Sequence, residues 1–207
     1  MDSQANSEVD LLRTLGLGSN STLVEFGVGT GQLAIAAAPH CAHVMAVDVS
    51  PAMLSLLRTK LDDAGLGNVT IVESGFLSFP FQPSSVDFIY SRFALHHLPD
   101  FWKSLALQRI YEMLTPGGVF RLWDVIYNFD PHEAADRLED WCATGQDVSP
   151  FTPIEDDWGR WEIAEHVRDE HSTYSWLLEA MFDRIGFSIE HAEKPDATTA
   201  QYVLRKR

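Results

Sequence analysis

The sequence predicts a doubly wound α/β fold: a seven-stranded, mainly parallel sheet that ends in an antiparallel hairpin. Three observations carry this. Five short apolar runs are interspersed with helical segments between Thr22 and Asp124. The first such run enters a loop with glycine at alternate positions, Gly27, Gly29 and Gly31, and leaves it as the helix-forming Gln32-Leu-Ala-Ile-Ala-Ala-Ala38. The last twenty residues read as two strands joined by the breaker Lys194-Pro-Asp-Ala197. Alternation of this kind calls for a sheet covered on both faces, with ligands at the carboxyl ends of its strands.

The elements follow in order. A helix over Val9–Leu15 stops at Gly16-Leu-Gly18, and strand one covers Thr22–Phe26. Beyond the glycine loop and its helix, His43–Asp48 is a short buried strand closed by an acid. Ser50 caps the next helix with Pro51 at its first position, and Leu54, Leu57 and Leu61 give it one apolar face. Gly65 to Gly67 ends it, and Val69–Glu73 is strand three. Val86–Ser91 is strand four, a helix covers Phe101–Leu114, Thr115-Pro-Gly-Gly118 breaks it, and Val119–Asp124 is strand five. Tyr174–Ile185 is amphipathic and closed by Gly186; Phe187–Glu193 and Ala200–Arg205 form the hairpin.

The 207 residues fit a single domain. No apolar run approaches the roughly 18 residues of a membrane span. The start Met1-Asp-Ser-Gln-Ala-Asn-Ser-Glu8 is acidic where a signal peptide is basic, and Cys41 and Cys142 lack metal-type spacing. Free thiols in a cytoplasmic protein are the expectation. The net charge of -15 disfavours nucleic acid and anionic membranes as partners, because both are bound through Lys and Arg. Oligomeric state is not readable.

The glycine loop is a place where a ligand can lie against bare backbone and a helix N-terminus. A dinucleotide fingerprint, G-x-G-x-x-G, needs a third glycine at position 32, where this chain has Gln32. That disfavours an NAD-dependent oxidoreductase. Asp48, about 20 residues downstream, suits a ribose diol. Four segments in order resemble the class I S-adenosylmethionine (SAM) methyltransferases, of the small-molecule "type 11" kind. They are Leu23–Gly31, Ala46-Val-Asp-Val-Ser-Pro-Ala-Met-Leu54, Val86-Asp-Phe-Ile-Tyr-Ser-Arg-Phe-Ala-Leu-His-His-Leu-Pro-Asp100, and Met113-Leu-Thr-Pro-Gly-Gly-Val-Phe120.

The resemblance implies a Rossmann-like fold, SAM as cofactor, S-adenosylhomocysteine as product and a small-molecule methyl acceptor. It also implies roles. Gly27, Gly29 and Gly31 form the cradle, and Glu25 braces it, reaching the cofactor's amino group through water. Asp48 takes the ribose hydroxyls, Val49 and Met53 flank the adenine, and the Ser91 carbonyl meets the amino group. Family members usually carry Gly-Asp after strand three, whereas Gly75 stands here at the Asp position. The Phe76 amide is left to serve the adenine. A non-catalytic SAM or S-adenosylhomocysteine binder is the alternative.

Methyl transfer needs a base only when the acceptor arrives protonated. His96, His97 and Asp124 are the candidates, since they follow strands four and five. Residues Asn128–His171 interrupt the alternation with thirteen acids against three arginines, together with Trp141, Trp158 and Trp161. This insertion is expected to cover the pocket and to favour a cationic or aromatic acceptor. Its histidines, His132, His166 and His171, lack metal-type spacing, and no metal is expected.

Overall fold

The computed structural model describes residues 3–144 and 159–207. Asp147, Glu155, Asp156, Asp157 and Trp158 of the insertion therefore lie outside the described residues. The elements are α1 (Ser3–Thr14), β1 (Thr22–Phe26), α2 (Gln32–Ala37), β2 (His43–Asp48), α3 (Pro51–Ala64), β3 (Val69–Glu73) and β4 (Val86–Arg92). Then come α4 (Asp100–Met113), β5 (Leu114–Tyr127), α5 (Ala134–Thr144), α6 (Arg160–Asp169), β6 (Thr173–Tyr174), α7 (Ser175–Ile185), β7 (Phe187–Glu193) and β8 (Thr199–Lys206).

Seven strands run in the order β3-β2-β1-β4-β5-β8-β7, and the two-residue β6 pairs with the far end of β5. β1 to β5 are mutually parallel, and β8 enters antiparallel between β5 and β7. The predicted sheet and hairpin are thus present. The order reverses between β1 and β4, the switch point at which a crevice opens at the strands' carboxyl ends.

Alternation along the strands divides the core in two. Leu23, Phe88, Tyr90 and Val119 face α1, α2 and α3, packing with Leu12, Leu33, Leu57 and Leu61. Val24, Phe26, Ile89, Phe120 and Leu122 face α4 and α7, packing with Leu107, Ile110, Leu178 and Phe182. This is the period-two signature of strands buried on both faces. In α3, the Ser50 hydroxyl accepts the Met53 amide at 3.4 Å, and Gly65 at φ 64° ends the helix in the left-handed region.

Two elements differ from the sequence expectation. α1 begins at Ser3, six residues early, because Glu8 makes a buried two-pronged ion pair with Arg121 of β5, each contact 2.9 Å. That bond fastens the helix to the sheet. β5 begins at Leu114, directly after α4, because Thr115-Pro-Gly-Gly118 is absorbed as a bulge between the pairs Val86–Leu114 and Phe88–Val119. At its other end β5 runs on to Tyr127, where β6 returns the chain from the insertion. Cys41 and Cys142 are both free. Among the described residues no helix is long and apolar enough to cross a membrane.

Candidate active site

The crevice at the switch point is a cavity of about 500 Å³ bounded by Phe26, Gly27, Gly29, Asp48, Val49, the 74–78 loop, Phe93, Ala94, His97 and Leu98. Its floor is the glycine loop. The amides of Gly27 and Val28 donate to the Val47 carbonyl at 2.9 and 3.1 Å, which sews the loop to the end of β2. A Cβ on Gly27 would overlap that of Ala94. At Gly29 the geometry is different: φ is 51°, yet a Cβ would meet nothing within 4 Å. The side-chain space there is open to the cavity, as a backbone cradle requires. Gly31 does not reach the cavity; it starts α2 with φ 80° and lies under Leu57.

Asp48 closes β2 and organises the loop. Its two carboxylate oxygens accept the amides of Gly29 and Ser50, each at 2.8 Å. Each oxygen has a second acceptor position, so the group can brace the loop and still receive ribose hydroxyls. Val49, 71% exposed, lies along the cavity wall as expected. Met53 does not. It sits on an exposed face of α3, with its backbone amide on the Ser50 hydroxyl.

The loop after β3 forms the far wall. A side chain at Gly75 would place its Cβ 3.2 Å from Val49 Cγ1, so the glycine brings the Val49 side chain close. Ser78 fills the polar role nearby: its hydroxyl accepts the Gly75 amide at 3.1 Å and meets the Ser74 hydroxyl at 2.9 Å. Both serines bound the cavity where the usual carboxylate is absent. Phe76 stacks on Phe26 at 4.8 Å, and Arg109 of α4 donates to the Phe76 and Phe79 carbonyls at 3.0 and 2.6 Å. The loop is therefore held from behind.

On the opposite side of the glycine loop is a smaller recess of about 190 Å³, bounded by Glu25, Thr30, Gln32, Tyr90, Arg92 and Phe93 among others. Glu25 is buried, and one of its carboxylate oxygens, Oε2, has no hydrogen-bond partner. Burial pushes its pKa up to about 8, reinforced by the Asp48 charge and opposed by the Ala34 backbone and by Arg92. Arg92 Nε is likewise buried without a partner. Its guanidinium lies over the rings of Trp123 (4.5 Å) and Phe93 (5.0 Å). Phe93 holds a positive φ of 49°, rare for an aromatic residue and found mainly where function demands it. Ser91 is buried, its hydroxyl also unpartnered, behind these two.

The three candidate bases meet but differ in exposure. Asp124 is buried and fully engaged: it accepts the amides of Leu95 (2.8 Å), His96 (3.2 Å) and Val125 (2.8 Å), and contacts His96 Nδ1 at 2.5 Å. It is thereby a positioning group with no exposed lone pair to offer a substrate. His96 is buried beside it, with its ring 5.0 Å from that of His166. Burial first, then the neighbouring His96 charge, pulls the His166 pKa down to about 4. His97 is the one that reaches the cavity; its Nδ1 lies 2.7 Å from Glu170 Oε2. Burial raises the Glu170 pKa, but the bond and charge of His97 outweigh it and hold the carboxyl below its usual value.

Glu170 belongs to the insertion, which is latched across this end. His171 donates its amide to the His96 carbonyl at 3.0 Å, and buried Lys103 bonds the His171 carbonyl and Asp100. Between the insertion and the sheet is a chamber of about 660 Å³ that shares Arg92 with the recess and Phe93 with both other spaces. Its charged residues, Arg92, Arg137, Asp140 and Asp196, balance. Three of the insertion's acids instead pair with its own arginines, Glu133 with Arg137, Glu139 with Arg160 and Asp169 with Arg168. The expected acidic field over the pocket is therefore not built by the described residues, although Trp141 does face the chamber.

A glycine cradle, a ribose-suited acid and a two-sided cavity at the switch point describe a nucleoside-cofactor enzyme of the doubly wound class. Comparison sharpens this. Residues 23–118 match the methyltransferase domain family. An uncharacterized methyltransferase of Geobacillus sp. (strain WCH70) is 30% identical over 190 residues, covering 92% of this chain and 80% of that protein. The chain belongs to the methyltransferase family. Its fold matches a SAM dependent methyltransferase from Aquifex aeolicus (TM-score 0.62, 17% identity, 100% of both chains). It also matches geranyl diphosphate methyltransferase in complex with SAM (TM-score 0.74, 11% identity, 98% of this chain and 85% of that one).

Proposed function

We propose that this methyltransferase uses SAM and methylates a small-molecule acceptor. The observation that carries the cofactor reading is the pair of unsatisfied buried groups beside the glycine loop, Glu25 Oε2 and Arg92 Nε. A buried polar group without a partner costs about 1–3 kcal/mol and calls for an explanation. An α-amino acid end supplies both missing partners, an ammonium for Glu25 and a carboxylate for Arg92. NAD has no such end.

The rest of the chain fits the same ligand. Gly29 admits it against backbone, Asp48 receives the ribose diol, and Val49 with Phe76 encloses the adenine, whose polar edge meets Ser74 and Ser78. Bound SAM supplies an electrophilic methyl on a sulfonium, leaving S-adenosylhomocysteine. The residues' task is then to align the acceptor, exclude water and remove a proton where the acceptor carries one. His97, at the cavity wall, is the proton acceptor. Glu170 orients its Nδ1, while Asp124 and His96 fix the segment behind it. The acceptor enters from the Phe93–Trp141 chamber. The two free thiols support a reducing, cytoplasmic setting.

Calorimetry of the full chain with SAM, S-adenosylhomocysteine and NAD tests the cofactor. Saturable binding of the first two, lost in Arg92→Ala and Asp48→Ala, is expected. NAD binding with no response to SAM refutes the reading. Turnover of a panel of phenols, amines, thiols and carboxylates then identifies the acceptor.

A further inference from the structure

Where His97 closes the cavity, side chains from two distant segments converge. One ring nitrogen each from His96 and His97 and one carboxylate oxygen of Glu170 lie within 4.8 Å of one another. Ligand bonds of about 2.0–2.2 Å hold neighbouring donors on a zinc-like ion roughly 3–3.5 Å apart. Small rotations of His97 and Glu170, the two less buried members, close that gap. A second feature lies behind the three. Asp124 grips His96 Nδ1 at 2.5 Å while three backbone amides hold Asp124 itself. That is the carboxylate–histidine relation that orients metal-bound imidazoles: with Nδ1 bonded to the acid, Nε2 is the ring nitrogen left for an ion.

We propose that His96, His97 and Glu170 bind a divalent transition-metal ion of the zinc class, with Asp124 orienting His96 from behind. Two imidazoles and one carboxylate suit zinc, cobalt, iron or nickel better than magnesium or calcium, which prefer oxygen. Three protein ligands leave coordination positions open, and His97 places them at the cavity wall. This inference rests on the methyl-transfer reading and deepens it. The ion displaces the proton shared by His97 and Glu170, and coordinates an acceptor oxygen or sulfur whose own proton is released to solvent. In the metal-free protein that proton goes to His97. Sequence spacing conceals the site because Glu170 lies 73 residues from His97.

A second convergent group, Asp130, His132 and Glu133, lies at the outer surface. Glu133 and Asp130 there cap their own helical turn, and the group serves as the control.

The full chain, stripped with a chelator, is titrated with zinc chloride by calorimetry and with cobalt chloride by visible absorption. The expected result is one ion per chain and cobalt bands of a nitrogen–oxygen site. His97→Ala and Glu170→Gln each weaken binding at least tenfold, Asp124→Asn weakens it roughly tenfold, and His132→Ala leaves it unchanged. Should Asp124→Asn fail to fold, Glu170→Gln still decides, since Glu170 is only partly buried. No binding, or binding lost in His132→Ala but kept in His97→Ala, overturns the proposal. SAM titration of the same samples separates the two ideas. Binding of SAM together with failure to bind zinc or cobalt refutes the metal site alone; metal bound through His97 and Glu170 without SAM binding refutes the methyl-transfer reading and leaves the metal site standing.

Discussion

Glu25→Gln is the substitution that separates stability from binding most sharply. Burial raises the Glu25 pKa from 4.5 to about 8. The native state therefore holds a proton that the unfolded chain releases above pH 4.5, so stability falls as pH rises from that value and the penalty is complete above 8. At 1.36 kcal/mol per pKa unit the penalty at pH 7 is about 3 kcal/mol. Glutamine does not titrate, so the variant should be more stable by up to that amount, or roughly 6–12 °C in Tm for a chain of this size. The gain should shrink towards zero near pH 4.5 and grow with pH. Binding should move the opposite way. An arriving ammonium ionises Glu25, so SAM binding at pH 7 should release close to one proton in the native protein and none through this group in the variant, with weaker affinity. The assays are urea unfolding from pH 4.5 to 8.5 and calorimetry in buffers of different ionisation enthalpy. A variant no more stable at pH 8 than the parent, or one releasing the same protons with SAM, would refute the reasoning.

The glycines divide by environment: Gly31→Ala forces a methyl into Leu57 at φ 80° and should cost at least about 2 kcal/mol in urea unfolding. Gly29→Ala meets open space, so it should cost only about 1 kcal/mol of strain while weakening SAM binding more than tenfold in calorimetry. Arg121→Met strands the buried Glu8 carboxylate and should destabilise by roughly 3–5 kcal/mol; adding Glu8→Leu should recover much of this, as chemical denaturation will show. Ser78→Ala removes a hydroxyl from the cavity wall and should weaken SAM binding by about 0.5–1.5 kcal/mol, without a matching loss of stability.

The parts of this site that were legible in the sequence are those written in one contiguous stretch. The glycine loop, Asp48 and Val49 fall where their motifs place them, because a strand, a turn and a helix dictate local geometry. Met53 shows the limit: four residues beyond Val49, it is already on α3, whose apolar face is set by Leu54, Leu57 and Leu61, and it turns to solvent. Arg92 was hidden inside a motif that drew attention to its histidines. Ser78 and Glu170 act only through the folded chain, one by bonding back to Gly75 and the other by crossing from the insertion to His97. The insertion's charge misled because acidity in sequence carries no direction; Glu133, Glu139 and Asp169 pair with the insertion's own arginines.

Five buried side-chain atoms among the described residues lack a hydrogen-bond partner, and four of them, on Glu25, Ser91, Arg92 and Trp123, belong to adjoining strand ends. The pairings Phe26–Ser91 and Arg92–Trp123 make them neighbours across β1, β4 and β5. Elsewhere the chain satisfies costly buried charge with care: Arg121 meets both oxygens of Glu8, and Asp124 takes four contacts. A chain that can do this in its interior has no folding reason to leave Glu25 and Arg92 unmatched at the switch point. A ligand that pairs with them relieves that cost, and interactions absent before binding can then add to affinity. The same groups that weaken the empty protein are thus the ones that should distinguish a zwitterionic cofactor from any other nucleoside.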